Sequence, residues 1–177
     1  MVVVRTLSSR VVYRNPWMSV REDRITREDG AEGTYAVVDK PDFALVIPYQ
    51  NRGFWLVEQF RYSVQRPAWE FPQGSWSAGS GAPGDLARAE LAEETGLLAS
   101  QLEILGHLYS AYGFCSQGFD VYLATGLAQG LPAREPTESD MRHSFVAEDQ
   151  FLQWVRSGQI VDAASLAAYS LLGLHRG

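Results

Sequence analysis

From residue 10 to about residue 64, short apolar runs alternate with polar turns. "RVVYRN", "WMSVREDRIT", "GTYAVVDK", "FALVIPYQ" and "FWLVEQFRY" are rich in Val, Ile, Tyr, Phe and Trp, side chains that suit a pleated, half-buried surface. "EDGAEG", "KPD" and "NRG" separate them and carry turn residues, so the region reads as a succession of strands. "FALVIP" is apolar at consecutive positions, which predicts a central strand buried on both faces. "WLVEQFRY" alternates more and leaves Glu58 and Arg61 able to reach a surface or a site.

Periodicity then stops. "PAWEFPQGSWSAGSGAP", residues 67–83, is dense in Gly, Pro and Ser and predicts a long loop, a feature that is usually functional inside a compact domain. Its aromatics Trp69, Phe71 and Trp76 argue against simple disorder. A helix follows, expected from a cap at Asp85 to Thr95, with Gly96 as its left-handed stop. Beyond it the pattern predicts a strand at 102–109, a loop "SAYGFCSQG", a strand "FDVYLATGL", a polar loop "AQGLPAREPTESD" and a short strand at 143–146. Two helices close the chain, "AEDQFLQWVRSG" stopped by Gly158 and "DAASLAAYSLLGLH" capped by Asp162. No repeat, low-complexity tract or linker interrupts this order. Strands, then a helix, then strands and final helices predict one α+β domain over 1–177, a mixed β-sheet covered by helices with an N-terminal antiparallel β region at 1–40 and a core at 41–177.

Composition is that of an ordinary globular chain: 177 residues, 46% hydrophobic and 20% charged. A net charge of −6 without a Lys/Arg cluster offers nucleic acid no electrostatic footprint. No apolar run reaches membrane-spanning length, and arginines interrupt the N-terminal apolar run before it resembles a signal peptide. The single cysteine, Cys115, excludes an internal disulfide and fits a reducing compartment, so the cytoplasm is the expected location. His107, His143 and His175 lack metal-ligand spacing with one another.

Candidate chemistry concentrates in "ARAELAEETG", residues 87–96. Glu90 and Glu94 are four apart and share one helical face, with Glu93 beside them. Like charges at that spacing repel by a few tenths of a kcal/mol, and the last helical turn prefers cations. A solvated acidic face is the commoner meaning of such a run. Its unfavourable position and the Gly-rich approach to it point instead to a hard divalent cation that takes carboxylate oxygens, waters and substrate phosphates.

"EFPQG", a spacer and "ARAELAEETGL" resemble the signature box of the Nudix hydrolases, with Gly74 as its opening glycine and Glu90, Leu91, Glu93, Glu94, Gly96 and Leu97 in register. "LVEQFRY", "WEFPQG", "GFCSQGFDVYLATGL" and "SGQIVDAASLAAYSLL" resemble the branch that hydrolyses ADP-ribose and nucleotide sugars. The box departs from its pattern: the spacer is one residue longer, Gly81 stands where a glutamate is usual, and Ala89 replaces the arginine that steadies the middle glutamate, although Arg88 is adjacent.

The resemblance implies an α/β/α sandwich and Mg2+- or Mn2+-dependent hydrolysis of a pyrophosphate in a nucleoside diphosphate linked to a second group. Glu90, Glu94, Glu93 and the backbone carbonyl of Gln73 would hold metal. A loop glutamate would add a base or a further ligand: Glu138 first, with Glu135 and Asp140 behind it. Gln117 stands where the branch often has another glutamate. Arg61 would contact phosphate, unless it pairs with Glu58 or Glu70; Glu70 would meet the base or ribose; Trp17 and Tyr35 would sandwich a base, unless they simply pack within their sheet. The resemblance further implies a homodimer formed through the N-terminal strands, with a small nucleotide as substrate. Hydrolysis of dinucleoside polyphosphates or nucleoside triphosphates, and nucleotide sensing without turnover, remain the alternatives.

Overall fold

The computed structural model describes residues 4–76, 81–130 and 141–177. Backbone contacts divide the chain into two compact units, Met1–Asp42 with Tyr109–Gly118, and Phe43–Leu108 with Phe119–Gly177.

The first unit is an antiparallel sheet of β1 (Arg5–Arg14), β2 (Ser19–Thr26) and β3 (Glu32–Asp39), in that spatial order. The expected loop after residue 109 joins this unit. Val38 donates its N–H to the Phe114 carbonyl at 2.8 Å and accepts from Ser116 N–H at 3.0 Å. Open strand groups of β3 thereby gain backbone partners, as buried or half-buried peptide groups require.

The second unit holds β4 (Phe43–Gln50), β5 (Gly53–Arg61), β6 (Arg66–Glu70), β7 (Gln73–Gly74), α1 (Pro83–Thr95), β8 (Leu97–Tyr109), β9 (Gly118–Gln129), β10 (Arg142–Ala147), α2 (Glu148–Arg156) and α3 (Ala163–Arg176). Its sheet runs β10-β5-β4-β9-β8, and the parallel β4–β9 pairing among antiparallel ones makes it mixed. β4 occupies the middle, as its unbroken apolar run predicts. Its Ala44 and Val46 pack in one cluster with Leu86, Ala87 and Leu91 of α1. Leu45 and Ile47, pointing the other way, pack with Phe54, Phe71, Phe151 of α2, and Ala168 and Leu172 of α3. The period-two alternation of a strand thus feeds two cores, and each fully buried large side chain contributes about 1.5–3 kcal/mol. One helix covers one face and two helices cover the other.

Residues 67–83 are not one long loop. β4 and β5 pair only at Tyr49↔Phe54 and Gln50↔Gly53, then separate. β6 takes the released edge of β5, from Arg61↔Arg66 to Val57↔Glu70. β7 takes that of β4, pairing Gln73 with Leu45 and Gly74 with Ala44. Val46 N–H donates to the Pro72 carbonyl at 2.9 Å. Pro67, Pro72 and Gly74 erase any local strand pattern, and it is the split between two distant strands that supplies the pairing.

The starts of α1 and β8, expected at Asp85 and residue 102, and of β1, expected at residue 10, all lie earlier in the chain. α1 begins one turn earlier than an Asp85 cap implies: its cap is Ala82, without a side-chain bond, and Pro83 follows at the first helical position, where its fixed φ suits the helix. Asp85 lies in the first turn, complementing the dipole. Gly96 ends α1 at φ +73° as expected, and β8 starts directly after it. Asp162 caps α3 by accepting from Ser165 N–H at 2.8 Å, also as expected.

Candidate active site

α1 brings Glu90 and Glu94 onto one face that turns inward, leaving them 8% and 1% exposed, while Glu93 is only half-buried. The inward face lies against β7. Gln73 N–H donates to Glu94 Oε2 at 3.1 Å, a charge-assisted bond that orients the carboxylate. The next residue, Gly74, has no side chain for a spatial reason. A Cβ placed there would stand 2.4 Å from both Glu90 carboxylate oxygens. The opening glycine of the box is thus the floor beneath one of its carboxylates.

β7 is only two residues long and is held from behind by the start of α3. Gln73 Nε2 donates to Asp162 Oδ2 at 3.1 Å, the same oxygen that caps Ser165 N–H. Phe71 N–H donates to Ser165 Oγ at 2.9 Å. Arg66 donates to the Gly158 carbonyl at 2.9 Å, at the turn before α3. Asp162 is legible in sequence as a helix cap, but its bond to Gln73 spans 89 positions and no local pattern announces it.

Arg61 and Glu70, both expected substrate contacts, meet each other. Arg61 Nε donates to Glu70 Oε2 at 3.1 Å and its Nη2 donates to Oε1, while Gln59 Nε2 reaches Oε1 at 2.9 Å. Glu70 is 2% exposed. Burial dominates over the Arg61 charge and pushes its carboxyl up to about 7, with a smaller upward contribution from Asp162. Glu58, the other partner considered for Arg61, pairs with Arg142.

Arg88 donates to the Ala99 carbonyl at 2.8 Å, so its guanidinium is committed to β8 rather than standing in for the arginine absent at Ala89. Gly81 lies under the Trp76 ring, where a Cβ would come within 2.8 Å of Cζ2. Glu135, Glu138 and Asp140 lie outside the described residues. Trp17 and Tyr35 belong to the first unit. Trp17 is 72% exposed and borders an open concavity of about 290 Å³ shared with Arg14, Asp39 and Lys40. Tyr35 donates its hydroxyl to the Gly113 carbonyl. Gln117 Nε2 caps the Pro41 carbonyl at 2.8 Å, a structural task. Cys115 bridges to Val38 through backbone pairing.

Among the described residues no three Asp, Glu, His or Cys side chains converge into a complete metal cage. The donors present suit a different kind of site. Two buried carboxylates of one helix face meet the β7 backbone, Glu90 against Gly74 and Glu94 on the Gln73 N–H. Mg2+ is commonly held by one or two carboxylates, with waters and substrate phosphates completing its shell. The donor set fits that ion.

Residues 4–38 match the model of the nucleoside diphosphate sugar hydrolase N-terminal domain, and residues 39–168 match the NUDIX domain. An ADP-ribose pyrophosphatase of Mycobacterium tuberculosis is 30% identical over 96% of this chain and 82% of its own length. An ADP-ribose pyrophosphatase of Bacillus subtilis is 26% identical, and a methanol dehydrogenase activator of Bacillus methanolicus 25% identical, each over 96% of this chain and 92% of the relative. A crystal structure of an ADP compounds hydrolase superposes with a TM-score of 0.82 at 18% identity, covering 96% of this chain and 91% of that one, a likeness of fold. With the NUDIX match extending over most of its length and a 30% identical relative along nearly all of it, this chain belongs to the Nudix family.

Proposed function

We propose that this Nudix protein is a divalent-metal-dependent pyrophosphohydrolase that cleaves a nucleoside diphosphate linked to a second group, with ADP-ribose as its first substrate and nucleotide sugars next. The observation that carries the reading is the pair of buried carboxylates on β7, Glu90 against Gly74 and Glu94 bonded to the Gln73 N–H. The names of the relatives from M. tuberculosis and B. subtilis support the substrate.

Glu90 and Glu94, with Glu93 and the Gln73 carbonyl, would hold Mg2+ or Mn2+. When bound, such an ion neutralises phosphate oxygens and lowers the pKa of water. Glu138 is the proposed base, with Glu135 and Asp140 as the other acidic groups of its loop. Trp17 and Tyr35 are the proposed base contacts. Arg61, half-exposed beside Glu70, keeps part of its guanidinium available for phosphate. In ADP-ribose, water adds to one phosphorus and the bridging oxygen leaves on the other phosphate, giving AMP and ribose 5-phosphate.

A homodimer through the first unit completes the reading. It is supported by Leu7, Val11, Val12 and Tyr13 of β1, each about half exposed, since apolar strand surface of this extent favours a covering partner. Among the described residues no helix is long and apolar enough to cross a membrane; the single cysteine supports the cytoplasm as the working compartment.

The test is a substrate panel with Mg2+ and Mn2+, comparing the natural chain with Glu90→Gln. AMP and ribose 5-phosphate from ADP-ribose, lost by about a hundredfold or more in the variant, support the reading. Preferred turnover of dinucleoside polyphosphates or triphosphates moves the substrate assignment. Tight ADP-ribose binding by calorimetry without product replaces the enzyme with a sensor.

A further inference from the structure

The two-residue strand that touches both metal-directed carboxylates is paired to β4 along its edge and is held from behind by a second set of bonds. Asp162 Oδ2 accepts from Gln73 Nε2 at 3.1 Å and from Ser165 N–H at 2.8 Å. Ser165 Oγ accepts from Phe71 N–H at 2.9 Å, two residues before Gln73. On its other side Gln73 gives its own N–H to Glu94, and Gly74 abuts Glu90. One continuous set of bonds therefore runs from the first turn of α3 to the Glu94 carboxylate, with Gly74 packed against Glu90 beside it.

We propose that Asp162 is a positioning residue for metal binding: through the Gln73 side chain it fixes the backbone at 73–74 against Glu90 and Glu94. This rests on the metal reading of those carboxylates. Outer groups that orient metal-binding ones typically change metal affinity by about 10- to 100-fold when removed. Ser165, wholly buried, fixes the same segment two residues upstream, which restricts Gln73 to the reach of Asp162.

The helix-capping duty of Asp162 can be separated from its clamping duty. Asp162→Ser keeps a good cap but is too short to hold Gln73. Asp162→Asn keeps an acceptor oxygen for both bonds while removing the charge. Gln73→Leu removes the amide donor and leaves the backbone.

Mn2+ titrations of the full chain, read as free Mn2+ by electron paramagnetic resonance, test the proposal, with melts in EDTA checking the fold. Asp162→Ser and Gln73→Leu should each weaken Mn2+ binding about tenfold or more. The double variant should lose no more than either single change, since both break one bond, and Asp162→Asn should bind within about twofold of the natural chain. Affinity retained in Asp162→Ser overturns the clamp. So does an equal loss in Asp162→Asn, which makes the effect one of charge. If the natural chain binds no Mn2+, or Glu94→Gln binds it equally well, the metal reading itself fails and takes the clamp with it. If Glu94→Gln loses Mn2+ and Asp162→Ser does not, the clamp alone fails.

Discussion

Glu90 lies so close over Gly74 that a Cβ at position 74 would stand 2.4 Å from both of its carboxylate oxygens. The contact joins the opening glycine of the box to its first helix glutamate, residues that sequence relates only as a spacing. Gly74→Ala must displace the Glu90 carboxylate, the movable end of the contact. Metal-free stability should fall by about 1–3 kcal/mol, the ordinary cost of overpacking. The rise in melting temperature on adding Mn2+ should shrink, and calorimetry with EDTA and with Mn2+ measures both. An unchanged metal response would show that Glu90 is not a ligand.

Glu94 is 1% exposed and shares a helix face with Glu90. Glu94→Gln keeps an oxygen for Gln73 N–H and removes one of two like charges, a repulsion worth a few tenths of a kcal/mol at this spacing. The metal-free variant should therefore melt at or slightly above the natural chain, while losing the Mn2+-induced shift and nearly all turnover. A lower melting point without metal would mean that the buried carboxylate serves the fold rather than the ion.

Glu70 sets a pH dependence. Its carboxyl is raised from 4.5 to about 7, burial being the main cause. A raised carboxyl favours its protonated form in the folded state, so its contribution is full below about 4.5 and is lost as pH rises through 7. The loss amounts to about 3 kcal/mol at most. Glu70→Gln, which cannot ionise, should flatten the fall in stability across that window. Denaturant unfolding of both proteins across it checks the sign, and a natural chain that gains stability through this carboxyl as pH rises would contradict the burial argument.

Gly96 ends α1 at φ +73° and returns its N–H to the Ala92 carbonyl at 2.9 Å. An L side chain in this left-handed region costs about 1–2 kcal/mol. Gly96→Ala should lower stability by that amount and move metal affinity little, because Glu90 and Glu94 are anchored by the β7 contact. Chemical denaturation beside an Mn2+ titration separates the two effects.

The local features of this chain were legible because each is written in adjacent residues. The apolar run at 43–48 could only be a central strand, and it is the strand whose two faces feed two cores. The spacing of Glu90 and Glu94 put both carboxylates on one helix face, Gly96 marked that helix's end, and Asp162 marked the start of α3. Only the folded chain could place β6 and β7, since their partners are edges exposed where β4 and β5 part. Only it could choose Glu70 over Glu58 as the partner of Arg61, bring Gln73 to Glu94 across 21 positions, and bring Asp162 to Gln73 across 89. Periodicity and capping are rules between neighbours, so they determine elements and their faces. The support beneath the carboxylates is made by groups distant in sequence, and packing alone chose them.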